Sequence, residues 1–142
     1  MAWVLDVNVV LALLHERHCH AQRASAWLDR LQEPGSCLLC RVAQMGALRL
    51  LTHPTVMNED VISASDFWRG WGALTMDERM VFVGEPRNLE LVWRERTSAM
   101  PRGESAGTDV YLAAFARAGG WRLATFDRGL ARLAAPDADL LA

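Results

Sequence analysis

The chain contains no lysine, since all fifteen of its basic residues are arginine. Mechanisms that need a lysine amine are therefore excluded. Phosphatases and phospho-receivers also open with an apolar strand ending in aspartate, as this chain does, but both usually keep a lysine near that acid. A glycine-rich turn after the first strand is missing too, because "DVNVV" offers no glycine, and this argues against dinucleotide binding. There is no apolar run long enough to span a bilayer and no leader pattern, so the expectation is a soluble cytoplasmic protein with no membrane partner. Cysteine is sparse and odd in number (Cys19, Cys37 and Cys40), which suits reduced thiols. The formal charge of −2 gives no bulk attraction for a polyanion, so nucleic acid would have to be met by a local patch.

What is present is a chain of 142 residues, about half of them apolar, enough to bury a sizeable core without staples. With no repeat, low-complexity tract or linker, residues 1–142 are expected to form one domain. Apolar runs predict strands at 2–6, 37–40, 80–84 and 121–127, with a last edge strand at 138–142. Helical patterns predict helices at 8–15, 18–32, 41–52, 60–74, 87–98 and 109–118, and "HPTVMNED" reads as a loop. Continuous apolar strands alternating with helices indicate an α/β fold, a mostly parallel sheet covered on both faces.

In "WVLDVNVVLALL" only Asp6 and Asn8 are polar. A carboxylate there needs compensation, because an unpaired buried charge is costly. Asp6 either caps the following helix or belongs to a metal or phosphate site at the carboxyl end of a strand. Asp127 follows the strand "LATF" in the same way, and Asp109 opens a helix after a glycine-containing loop. Each has a structural reading, Asp109 as an acid at a helix N-terminus and Asp127 as the opener of the turn "FDRG". Parallel strands deliver such ends to one edge, where three carboxylates would repel one another unless a cation neutralised them. Oxygen ligands without His or Cys suit Mg²⁺, or Mn²⁺, and hydrolysis of a phosphodiester is the chemistry that follows.

These residues resemble the PIN-domain ribonucleases, and within them the VapC-like toxins of toxin-antitoxin systems. "LDVNVVLALL", "HAQRASAWLDR", "CRVAQMGALRLLT" and "GTDVYLAAFARAGGWRLATFDRGL" follow in family order and spacing over nearly the whole chain. The resemblance implies a three-layer PIN fold, Mg²⁺-dependent cleavage of RNA, neutralisation by a cognate antitoxin, and a homodimer. It assigns Asp6, Asp109 and Asp127 as catalytic metal ligands, with Gln44 as a further catalytic-site residue and Asn8, Thr108 and Thr125 supporting them. One position departs: Gln44 stands where the family usually has Glu, although Gln also occurs there in a subset of VapC-like sequences. A neutral amide can orient a group but cannot supply charge to a cation, so Gln44→Glu is expected to tighten Mg²⁺ binding.

Arg41, Arg49, Arg102 and Arg128 are the candidates for RNA phosphate contacts by their nearness in sequence to the acids, with surface ion pairing as the structural reading. His15, His18, Cys19, His20, Cys37 and Cys40 suggest zinc, but "CLLC" is an apolar strand where a zinc knuckle needs a glycine-bearing turn. Trp68, Trp71 and Trp93 could stack on bases or belong to the core or an interface. The competing function is a catalytically weakened module that binds RNA or antitoxin without efficient cleavage.

Overall fold

A computed structural model describes residues 1–141. Five strands, β1 (Trp3–Leu5), β2 (Cys37–Leu39), β3 (Met80–Phe82), β4 (Arg122–Thr125) and β5 (Ala138–Leu140), form one sheet in the order β3-β2-β1-β4-β5. All four pairings are parallel. The helices are α1 (Val7–Leu14), α2 (Ala21–Asp29), α3 (Arg41–Leu51), α4 (Pro54–Met57), α5 (Ala64–Thr75), α6 (Leu89–Ser98), α7 (Thr108–Gly119) and α8 (Arg128–Leu133). Successive strand residues point to opposite faces, yet Cys37, Leu38 and Leu39 are all buried, so helices cover both faces of the sheet there. No helix among the described residues is long and apolar enough to cross a membrane.

The strand order explains where a site can form. From the neighbouring pair β1 and β4, the chain leaves β1 toward β2 on one side and β4 toward β5 on the other. Right-handed crossovers then put the helices after β1 and β4 on opposite faces, opening a crevice between the two carboxyl ends. Leu5 pairs with Ala124 in register, and the Asp6 amide donates to the Ala124 carbonyl at 3.0 Å. Asp6 and Thr125 therefore flank that crevice.

Four local differences from the sequence expectation have physical causes. The helix expected at 18–32 spans only Ala21–Asp29, because the His20 amide donates to Nδ1 of His18 at 3.1 Å and holds 18–20 in a turn. The expected loop 53–60 contains α4 and a 3₁₀ turn at Asn58–Asp60. Pro54 supplies a fixed φ in the first helical turn, and His53 Nδ1 accepts from the Val56 amide at 3.4 Å. The helix expected from residue 60 starts at Ala64, where Ser63 caps it by accepting from the Asp66 amide at 3.0 Å. Asp127 opens a whole helix, α8, rather than a turn, through a 3.1 Å bond from the Leu130 amide. The expected edge strand 138–142 is observed at Ala138–Leu140, and Ala142 lies outside the described residues.

Candidate active site

The carboxylate of Asp6 is 4% exposed, and each of its oxygens has a partner. Oδ1 accepts from the Val7 amide at 2.7 Å, which caps α1, and Oδ2 accepts from the Thr125 hydroxyl at 2.6 Å. Capping and site building are thus one arrangement rather than alternatives. The Thr125 oxygen, fully buried, also accepts from the Asp127 amide at 3.0 Å and from Asn8 Nδ2 at 3.5 Å. Asn8 completes the circuit by accepting from the Phe126 amide at 3.3 Å. Four of the residues expected from the sequence, Asp6, Asn8, Thr125 and Asp127, therefore form one hydrogen-bonded group with Thr125 at its centre.

Asp109 joins them through charge. Burial pushes the Asp6 carboxyl above its ordinary range, opposed by its bonds from Thr125 and Val7, and the negative charges of Asp109 and Asp127 raise it further. Asp109, exposed in the first turn of α7, is raised by desolvation and by Asp127. Among the described residues none of the three forms an ion pair, whereas Asp60, Asp66, Asp77, Asp137 and Asp139 each meet a basic side chain. Unpaired oxygen donors of like charge are the chemistry a hard divalent cation fits. As the side chains stand, no group of three His, Cys, Asp or Glu among the described residues could hold an ion. The fit thus rests on donor type and uncompensated charge, not on a ready-made cage.

Thr108 and Asp109 line a cleft of about 610 Å³ with Glu104, Ser105 and Gly107. Thr108 also borders a second cleft of about 530 Å³, largely apolar, whose walls include Val7, Val42, Met45 and Leu48. Gln44 is buried, but its Oε1 accepts from the Arg41 guanidinium, and Arg41 lies over the Phe82 ring at 4.6 Å. Arg49 is exposed on α3 beside the apolar cleft, Arg102 is exposed in the loop before α7, and Arg128 is the first residue of α8. Sequence reading missed Phe82, and it missed Phe126, the buried residue between Thr125 and Asp127, whose ring stacks flat on His20 at 4.2 Å. The "CLLC" spacing could not reveal that Cys37 and Cys40 are core residues. Burial pushes the Cys37 thiol up to about 11 and raises Cys40 as well, keeping both protonated and poor as metal ligands. Trp71 is buried while Trp68 and Trp93 are partly exposed.

The fold is that of an α/β protein whose parallel sheet brings Asp6 and Asp127 together at the carboxyl ends of the neighbouring strands β1 and β4. The chain belongs to the PIN domain family, whose match covers residues 3–136. It is 36% identical to ribonuclease VapC41 of Mycobacterium tuberculosis over 96% of this chain and 97% of the relative. With ribonuclease VapC44 of the same species it shares 31% identity over 97% of this chain and 94% of that one. Among solved structures, FitAcB from Neisseria gonorrhoeae superposes with a TM-score of 0.68 at 18% identity, covering 97% of this chain and 96% of that one. Mycobacterium tuberculosis VapC20, described as a sarcin-ricin loop cleaving toxin, gives 0.67 at 13% identity, covering 92% and 94%. These two likenesses concern the fold.

Proposed function

We propose that this PIN domain, residues 1–142, is the toxin of a toxin-antitoxin system and a metal-dependent endoribonuclease that hydrolyses RNA phosphodiesters. The observation that carries the reading is that Asp109 and Asp127 lie close enough to act by charge on Asp6 at the β1/β4 strand ends, with no basic partner for any of the three among the described residues. Names of curated relatives such as ribonuclease VapC41 support the reaction class. Asp6, Asp109 and Asp127 would hold the cation, Mg²⁺ with Mn²⁺ as substitute, after local rearrangement of their side chains. When bound, it lowers the pKa of water and stabilises the leaving oxygen. Thr125 fixes the Asp6 carboxylate and the Asp127 backbone, and Asn8 ties both to the turn at Phe126. Thr108 is the first residue of α7, next to Asp109. Arg41, Arg49, Arg102 and Arg128 are the cationic groups available to RNA phosphates.

The partners are an RNA substrate and a cognate antitoxin, in the cytoplasm. The apolar cleft beside Thr108 supports antitoxin docking, and a solved FitAB complex on a DNA fragment shares the fold. The exposed apolar side chains Trp68, Met76 and Leu91 support a homodimer. Gln44 at the usual Glu position favours one rival, a module that binds RNA or antitoxin without efficient cleavage. Cleavage of RNA by the purified protein separates the two. Activity with Mg²⁺ that is lost in EDTA and falls about a thousandfold in Asp109→Asn is the expected result, given several kcal/mol of charge stabilisation. Activity that survives either change overturns the metal mechanism.

A further inference from the structure

We infer that Gln44 and Phe82 form a neutral clamp that presents Arg41 to a backbone phosphate of single-stranded RNA flanking the one that is cut. The inference rests on the ribonuclease reading above and assigns Gln44 a different task from the metal-binding position it replaces. Its side-chain oxygen is turned to the Arg41 guanidinium, and the guanidinium lies over the Phe82 ring, its carbon 4.6 Å from the centroid. An oxygen committed to a cationic side chain is a poor ligand for a second cation.

The two partners hold the guanidinium without cancelling its charge. Arg17, Arg69, Arg79, Arg94, Arg117 and Arg122 each reach a carboxylate. Among the described residues Arg41 makes no such pair. A glutamate at position 44 would neutralise it, whereas an amide orients the planar fork and leaves it positive. The aromatic face adds attraction for the cation and fixes its plane.

Position makes that charge useful. The β1/β2 register, Trp3 with Cys37 and Val4 with Leu38, carries Cys40 opposite Asp6, and Arg41 follows directly. Phe82 ends β3, paired with Leu39. The clamp therefore sits on the same carboxyl edge as the acids, with Arg41 after β2, the neighbour of β1 and roughly 5 Å from it at the usual interstrand spacing, and Phe82 on β3 one strand further out. RNA with one phosphate at the acids brings another past Arg41 within a few nucleotide steps. Gln44 and Phe82 are positioning residues, and Arg41 is the group that touches substrate.

The test is binding of a short fluorescent single-stranded RNA in EDTA across a salt series, so that the result is independent of metal and of cleavage. Arg41→Ala should weaken binding about tenfold and reduce the slope of log affinity against log salt by about 0.7, one phosphate contact on a single strand. Gln44→Leu keeps net charge and should weaken binding about threefold through loss of orientation, a modest hydrogen-bond effect. It should have no further effect on an Arg41→Ala background. An unchanged affinity and salt slope in Arg41→Ala overturns the inference, as do additive losses in the double variant or no salt-dependent binding by the wild type. Thermal melting of each variant checks that it folds. Loss of cleavage with binding intact would count against the metal site and leave the clamp standing.

Discussion

Aspartates occur in two kinds of place in this molecule, and they are held in opposite ways. Away from the crevice, Asp77 receives a fork from Arg79, with bonds of 2.7 and 3.0 Å, and Asp139 receives one from Arg122, with bonds of 2.6 and 2.8 Å. Trp3 adds its indole N–H to Asp139 at 2.7 Å, joining β5 to β1 across the sheet. These guanidinium bonds hold both carboxyls below their usual range. At the crevice, Asp6 and Asp109 have no basic partner among the described residues and are pushed upward, first by burial and then by neighbouring carboxylates, Asp109 and Asp127 acting on Asp6 and Asp127 on Asp109. The same side chain is tied down by arginine where it supports the fold and left without a basic partner beside the β1/β4 strand ends, where the proposed cation would bind.

The largest expected break in that contrast comes from Thr125, the hydroxyl that lets unpaired acids sit at the crevice. Thr125→Val removes the bond to Asp6 and the acceptor for the Asp127 amide, and should cut RNA cleavage between about tenfold and a hundredfold in a Mg²⁺ titration. Thr125→Ser should restore most of it. A Val variant of full activity would mean that the hydroxyl only fills space.

A smaller effect is expected on the paired side. Asp77→Asn leaves Arg79 bonded to the carbonyls of Leu28 and Leu31 but removes its charged partner. With both side chains partly exposed, the loss should be about 1 kcal/mol, a drop of a few degrees in melting temperature with cleavage unchanged. Lost cleavage without lost stability would erase the division between the two regions.

The smallest effect is the pH dependence of that pairing. Asp77 and Asp139 have folded-state pKa values below the ordinary 3.8, so the unfolded chain binds protons first as pH falls. Their contribution is complete above the unfolded value and disappears as pH drops through the lowered folded values. Urea midpoints of the wild type should therefore decline below about pH 4, and more shallowly in Asp77→Asn. Parallel declines would show that these pairs do not contribute to acid stability.

Much of this arrangement could be read in the residues, because the signals were local. "WVLD" and "LATFD" announce strand ends that carry acids, and Gly120, with φ +70°, ends α7 where "GG" indicated a stop. Strand order was not legible, since pairing of β1 with β4 depends on contacts across more than a hundred residues. The short helices α4 and α8 were hidden for a different reason: each is specified by a cap, His53 or Asp127, more than by a run of periodic apolar residues. Capping and site membership also looked like competing explanations of Asp6, yet one carboxylate has an oxygen for each. Arg41 and Gln44 stand three apart on α3, a spacing that brings side chains together, but nothing local in the sequence pointed to Phe82 as the third member.

Asp6 and the hydroxyl that secures it are separated by 119 positions. During synthesis the first acid leaves the ribosome well before the strand that completes its surroundings. A nascent chain that stops short of β4 carries the opening motif but lacks the hydroxyl that secures Asp6, so this arrangement exists only once Thr125 has been made.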